Sequence, residues 1–523
     1  MIDPSTLVCF LLICCFVLWV WYTTRSYLEL RHIPGPYLAA WTNLPRTLWV
    51  LGNEAHAKHV ALHKQYGPIV RFGPTMVSVQ DPREIKHIYD MSGTFVKSDF
   101  YRALVLYAKG KPVPTIFGTQ DLNLHRTLRR PIASLYSMSN VVTFESLVDK
   151  AILVFLGQLR TRFVSTGVTC DLGEWLEFLA FDVMGEMTFS RRFGFLDSGT
   201  DVNNIATNNK LHFDKTSPIT QITWIDWIWS KNPLVQHLQP TKTNPVVTFA
   251  HQRCQERRSA EKAALSTDEP QTAALNNNDF LSRFDKIMAK DQSIPPFALT
   301  AWTVSNVAAG SDTTAILLRT IVHELLQDAQ SMNRLIKEID EAVSISSNPS
   351  DVVQWSCARK LPYLDAVIKE AGRLHPSFGL PFERVVPAPG ATICGKWLKA
   401  GTIVGMSAWV MHHHEGTFGR DHDRWRPERW LDCSDIQRKA MEASLLTFGA
   451  GNRVCLGKNV AYFEVYKIVP TLLRAFEIHP PMNGKVGWEV KNRWFVQQKG
   501  LKVNLVQRKI VSKLSHNNVE AQL

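Results

Sequence analysis

Phe448-Gly449-Ala450-Gly451-Asn452-Arg453-Val454-Cys455-Leu456-Gly457 reads F-x-x-G-x-R-x-C-x-G. One thiol sits in a glycine turn, a cation precedes it closely, and an amphipathic helical run, Leu456 to Arg474, follows. A buried haem needs this on its proximal side. A single thiolate serves as axial ligand and donates electron density that favours O–O cleavage. Gly449 and Gly451 are expected to take backbone angles that other residues resist, bringing the chain close to a flat cofactor. With Cys455 at the start of the following helix, the helix dipole and its free amides are expected to favour thiolate over thiol. Arg453 suits a haem propionate, and Gly457 removes a side chain where the helix must approach the ring.

Five matching positions within ten residues set this run apart from a lone structural cysteine, which is ordinarily just a buried hydrophobe. The loop resembles the cysteine-ligand loop of the cytochrome P-450 superfamily, the haem-thiolate monooxygenases. The fold this implies is mainly α with a smaller β-rich part.

Further motifs carry the resemblance. His125 and Arg129 are four apart in the helical run Asp121 to Tyr136 and share a face; the family places such a pair on a haem propionate. The run Pro295 to Gln330 is long and mostly apolar, interrupted by Ala309-Gly310-Ser311-Asp312-Thr313-Thr314. Glycine and back-bonding hydroxyls bend helices, and in the family A-G-x-D-T-T crosses the distal haem face. The resemblance implies that Thr313 faces dioxygen and that Asp312 brings protons in from solvent. Heterolytic O–O cleavage consumes two protons, so adjacent acid and hydroxyl groups make chemical sense.

Glu370 and Arg373 form E-x-x-R at the end of the amphipathic run Leu361 to Leu374. Arg426-Pro427-Glu428-Arg429-Trp430 resembles the family's P-E-R-F with Trp for Phe. By resemblance Glu370, Arg373 and Arg429 form a buried network behind the cysteine loop. Arg384, in the strand after E-x-x-R, is a further propionate candidate. His412-His413-His414 invites a metal reading, but consecutive residues do not easily converge on one ion. The motifs stand in family order from about Pro34 to about Gln507. Phe181 to Phe189 and Asn492 to Val496 look like the fungal secondary-metabolism branch related to pisatin demethylase. Substrate contacts implied by the resemblance lie at Tyr101 to Tyr107, Ser305 to Ala309, Ser377 to Leu380 and Trp494-Phe495. These segments are largely apolar, which suits a lipophilic substrate.

The 523 residues are 45% hydrophobic and include 16 Trp, enough for a large core. The expected organisation is an anchor over 1–24, a basic, proline-rich hinge over 25–40, the haem-thiolate domain over 41–507 and a basic, polar tail over 508–523. No Gly/Ser/Pro linker splits the chain; Ser259 to Asp279 reads as a surface loop. The nine Cys are scattered without C-x-x-C spacing, arguing against a disulfide framework or zinc site and for a reducing compartment. The net charge of +12 is spread out rather than striped with aromatics, so nucleic acid is not the expected partner. Anionic membrane and an acidic electron donor are. Leu7 to Tyr22 is continuously apolar and, with its flanks, approaches the roughly 20 residues of a span. No basic start or A-x-A site marks it as a cleaved signal, and Arg25 and Arg31 place its far end in the cytosol. Ile33-Pro34-Gly35-Pro36 stops the helix. Trp224, Trp227 and Trp229 fall where the family's access-channel helices approach the membrane.

The expected activity is that of a single-pass monooxygenase of the endoplasmic reticulum membrane, with its catalytic domain on the cytosolic face. It would carry haem b and draw electrons from NADPH through a separate flavoprotein reductase, with cytochrome b5 as an optional second donor. No G-x-G-x-x-G after a strand and no flavin domain is seen, so the chain is not expected to reduce itself. An O2-independent isomerase or dehydratase and a haem sensor are the alternatives; Asp312 and Thr313 argue against the first.

Overall fold

The computed structural model describes residues 3–509, apart from 106, 109–110, 230, 239–244, 266–277, 345–350, 482–483 and 485. Most of the Ser259 to Asp279 loop and nearly all of the 508–523 tail therefore lie outside the described residues. The fold is mainly helical, with several small sheets.

Helix α1 spans Pro4–Leu30. It continues past the expected boundary at residue 24, and its last turns dock onto the sheet. Leu30 and Ile33 are buried in a cluster with Ile69, Val77 and Val404. Arg71 holds the carbonyl of Ser26 at 3.1 Å and that of Ala40 at 3.0 Å. Residues 25–30 are thus packed helix rather than free hinge. A Cβ on Gly35 would lie 2.0 Å from the Arg71 carbonyl oxygen, so the proline turn presses directly on the sheet. Among the described residues, no helix is long and apolar enough to cross a membrane. The expected span over 1–24 is not confirmed, although Phe10, Phe16, Leu18 and Trp21 of α1 are exposed.

Strands β1 (Ile69–Gly73), β2 (Met76–Val79), β3 (Val96–Lys97), β4 (Arg384–Val385) and β5 (Ile403–Gly405) form one sheet in the order β1-β2-β5-β4-β3. Strands β1 and β2 are buried on both faces, so they read as continuous apolar runs broken only by Arg71 and Ser78.

The helical core surrounds α5 (Ala298–Gln327), against which α3 (Leu172–Phe189) packs along its length. Helix α3 is buried almost all round, its Glu177, Asp182 and Glu186 included, and is otherwise largely apolar, as a helix enclosed on every face requires. A Cβ on Gly310 would come 2.8 Å from Met184 Sδ, so the glycine permits the close α3–α5 approach. Helix α5 is not interrupted at the A-G-S-D-T-T run; the hydroxyls of Ser311 and Thr313 bond back to the carbonyls of Val307 and Ala309 instead. The site is completed by α2 (Leu122–Arg129), α4 (Ile205–Ile219), α6 (Pro362–Leu374) and α7 (Lys458–Ala475). Helix α2 is shorter than the expected 121–136 run; a 3-10 turn, Ala133–Tyr136, follows it.

Candidate haem site and proton path

The cysteine loop is a tight turn before α7. Gly449 and Gly451 sit at φ +68° and +66°, the left-handed region that glycine enters without a Cβ penalty. A Cβ on Gly451 would also lie 2.1 Å from the Tyr89 carbonyl oxygen. The Cys455 amide donates to the Phe448 carbonyl at 2.8 Å and closes the loop. Beside Gly457 a Cβ would meet only Cys455 Sγ, at 4.0 Å, so that face is open. The thiol itself has accessible surface although it lies deep within the protein. Burial raises its pKa; the amides of Gly457 and Lys458 and the charge of Arg129 pull the other way. The helix begins three residues after the cysteine, at Lys458, rather than at Leu456.

A group of cations faces this region. Lys97 and Arg384 are register partners on β3 and β4, and both are buried. Like charges directly opposite in a sheet repel. Arg453 donates to the carbonyls of Thr119 and Gln120, and Arg384 to its neighbour Glu383's carbonyl and the Tyr101 hydroxyl. Among the described residues Lys97, Arg129, Arg384 and Arg453 make no ion pair. Burial, followed by Arg384, Arg453 and Arg129, depresses Lys97 well below its ordinary value. Burial and Arg384 bring Arg453 down to about 10. His125 is buried with Nε2 unpartnered, and burial, then Arg453 and Arg129, brings it down to about 3. A buried cluster of one sign is costly unless an anion joins it. Two carboxylates from a haem would supply that anion, so the residues present fit the group on both counts: a thiol beneath an open glycine face and an uncompensated cationic rim.

Behind the loop, Glu370, Arg373 and Arg429 come together and are buried completely or nearly so. Arg373 binds Glu370 in bidentate fashion, at 2.9 and 2.8 Å. Arg429 reaches Glu370 at 3.3 Å and Asp421 at 2.8 Å. Trp430 Nε1 donates to the other Glu370 oxygen at 3.0 Å, a bond that phenylalanine in the family motif could not make. His412 joins this lattice to the loop. Its Nδ1–H donates to the Arg373 carbonyl at 2.8 Å, and its Nε2 accepts the Leu446 amide at 2.8 Å. His413 and His414 bond instead to the Trp409 carbonyl and the Thr417 hydroxyl, so the three rings diverge.

On α5, Ala309 is exposed in a helix whose neighbouring turns are buried, and Thr313 lies one turn further on. Thr313 Oγ1 donates to the Ala309 carbonyl at 2.7 Å. Asp312 points toward α3 and α4. Asn209 Nδ2 donates to its Oδ2 at 2.6 Å, and Glu177 is a hydrogen-bond partner. Burial, then the Glu177 charge, raises Asp312 to about 7, opposed by Lys210. Sequence reasoning missed Lys97, Glu177, Asn209 and Lys210, none of which stands in a motif with its partners, and noticed His412 only as one of three consecutive histidines.

Of the four implied substrate segments, three converge. Phe100, Tyr101, Leu380 and Trp494 share one cluster with Phe378 and Phe495. Phe213 of α4, absent from the expected set, joins them, 5.0 Å from Trp494 and 4.4 Å from Phe495. The Ser305 to Ala309 segment lies outside this cluster.

A mainly helical fold with a glycine-turn thiol and a cationic rim is that of a haem-dependent oxidoreductase. Comparison with known proteins makes this definite: the chain belongs to the cytochrome P450 family, whose model matches residues 34–504. It is 53% identical over 454 residues to a cytochrome P450 monooxygenase of Aspergillus terreus, covering 87% of this chain and 91% of that protein. It is 45% identical over 493 residues to cytochrome P450 monooxygenase cicH of Emericella nidulans, covering 94% and 97%. Against cytochrome P450 monooxygenase mpaDE' of Penicillium brevicompactum it is 46% identical over 484 residues and spans 55% of that longer protein. The chain is a monooxygenase.

Proposed function

We propose that this enzyme inserts one oxygen atom of O2 into a lipophilic secondary metabolite, with electrons from NADPH delivered by a separate flavoprotein reductase. The observation that carries this reading is Cys455, open beside Gly457 and near Arg129, which in turn belongs to a cluster with Lys97, Arg384 and Arg453. Haem, when bound, supplies the iron at which dioxygen is reduced and cleaved. Cys455 would hold its iron through the thiolate sulfur. His125, Arg129, Arg384, Arg453 and Lys97 would hold its propionates, and Phe448, Gly449, Gly451 and Gly457 would shape the loop. Thr313 and Asp312 would hold and move protons on the distal side. Glu370, Arg373 and Arg429 would fix the loop from behind.

The ring cluster of Phe100, Phe117, Phe213, Phe378, Trp494 and Phe495 supports an apolar substrate with flat surfaces that stack on aromatic side chains. A basic hollow lined by His125, Arg126 and Arg129 of α2, Arg130 just after it and Asn452 of the cysteine loop supports an acidic electron donor at that face. Cytochrome b5 would be an optional second donor there. The exposed α1 side chains, with exposed Leu44, Leu48, Trp224, Trp227 and Trp229, support attachment to the endoplasmic reticulum membrane, with the catalytic domain over 41–507 in the cytosol. The proposed organisation is an anchor over 1–24, a hinge over 25–40, the catalytic domain over 41–507 and a tail over 508–523.

The test is expression of the full chain with a reductase in a host fed 18O2. One labelled oxygen atom in a product absent from the Cys455→Ser control is expected. A new product carrying no label would overturn the reading in favour of O2-independent chemistry.

A further inference from the structure

Asp312 lies against a second acid. Glu177, on α3, reaches it across the helix interface. Glu177 is itself held from two sides: by Arg319 of α5 at 2.5 Å and by Lys210 of α4 at 2.6 Å. Arg319 is anchored in turn on the Gly173 carbonyl at 2.6 Å. Asp312 receives one donor, Asn209 Nδ2, on Oδ2, while its Oδ1 is buried and has no donor among the described residues. Two ionised carboxylates offer only acceptors and repel each other. They sit within hydrogen-bond reach when one keeps a proton. The cations are ranged on Glu177, so the proton belongs on Asp312.

We propose that Glu177 is a positioning residue for proton delivery: its carboxylate, fixed by Arg319 and Lys210, accepts a hydrogen bond from Asp312 and keeps the Asp312 carboxyl in its acid form. The groups facing Asp312 from the helices packed on it are Glu177 of α3 and Asn209 and Lys210 of α4. The proton that Asp312 gives up toward Thr313 is then returned through Glu177, which the partly exposed Lys210 ammonium contacts and reprotonates, and Lys210 regains its own proton from water. Helix α4 carries Asn209 and Lys210 one turn before Phe213 of the ring cluster, so it joins the proton path to the substrate side. The inference rests on the monooxygenase reading above.

The test is infrared spectroscopy of the full-length reduced enzyme with carbon monoxide, across neutral pH in H2O and D2O. Wild type is expected to show a D2O-sensitive protonated-carboxyl stretch that titrates near about 7 and is lost in Asp312→Asn. Two variants should move it in opposite directions. Glu177→Gln removes the negative neighbour and frees Arg319 and Lys210 to pair with Asp312, so the titration should fall to more acidic pH; Glu177→Asp should restore it in part. Lys210→Met removes the nearest partly exposed cation, so the titration should rise to more alkaline pH; should Glu177→Gln fail to fold, this variant still decides. The fraction of NADPH electrons reaching product rather than peroxide should follow the same shifts. An unchanged titration in either folded variant would overturn the proposal. The red-shifted Soret band of the same samples separates this outcome from failure of the haem-thiolate assignment, in which that band would be absent in wild type.

Discussion

Glu370 and Asp312 are both acids on long buried helices, and their surroundings could hardly differ more. Glu370 is surrounded by donors: two guanidinium groups, the Trp430 indole and the Arg426 amide. Asp312 is met by one amide and by another acid. The first arrangement fixes a position, since every charge has its opposite within reach and no single change is favourable. The second raises the carboxyl to about 7, because burial and a like charge oppose its ionisation. The difference teaches what each side is for. On the proposed reading, the Glu370 network would immobilise the cysteine loop, while Asp312 would stay able to change its protonation.

The contrast is broken most severely by Arg373→Ala. It strands Glu370 and removes donors to the carbonyls of His412 and Arg424. Breaking a buried pair costs about 3–5 kcal/mol, so this variant should lose haem and most folded yield, as read by the haem-to-protein absorbance ratio. Retention of a full haem complement would contradict the assignment. Asp312→Asn should leave fold and haem content unchanged but lower product formation by about 10²-fold, the lower range for a lost acid–base group, with electrons diverted to peroxide. Trp430→Phe sharpens the comparison. It removes one donor to a charged acceptor, a loss of about 1.5–3 kcal/mol, visible as a lower denaturation midpoint with the haem spectrum retained.

The smallest effect is a pH dependence. The folded pKa of Asp312 lies above its unfolded value, so its protonation favours the folded state. The contribution is complete below the ordinary carboxylate range and is lost as pH rises through about 7. Wild-type stability should therefore decline with rising pH more steeply than that of Asp312→Asn. Product formation should likewise fall above neutrality in wild type, with a flat profile in the variant. Parallel curves would mean that Asp312 is not the titrating group.

The proximal side was far more legible in the sequence than the distal one. The cysteine loop and Glu370 with Arg373 are local patterns whose spacing already implies a turn or a shared helix face. Even there, Trp430 was visible only as a departure from a motif; its bond to Glu370 spans 60 positions. On the distal side Asp312 and Thr313 stood together in one run, but the partners that set the state of Asp312 did not. Asn209 lies 103 positions away, and Glu177 meets Arg319 across 142. Such pairs have no spacing to read, because helix packing alone brings them together. Lys97 escaped notice because a two-residue strand carries no periodicity; its register opposite Arg384 gives it meaning. Helix α1 ends at Leu30, just before the Ile33-Pro34-Gly35-Pro36 turn, but the docking of its last turns onto Arg71 and the sheet has no signal in the sequence.

The account rests on Cys455 as the haem ligand, and the most direct measurement is the absorption spectrum of the reduced full-length protein with carbon monoxide, beside Cys455→Ser. A strongly red-shifted Soret band, lost in the variant, is the predicted result. A band of the histidine-ligated kind, or well-folded protein that takes up no haem, would contradict it.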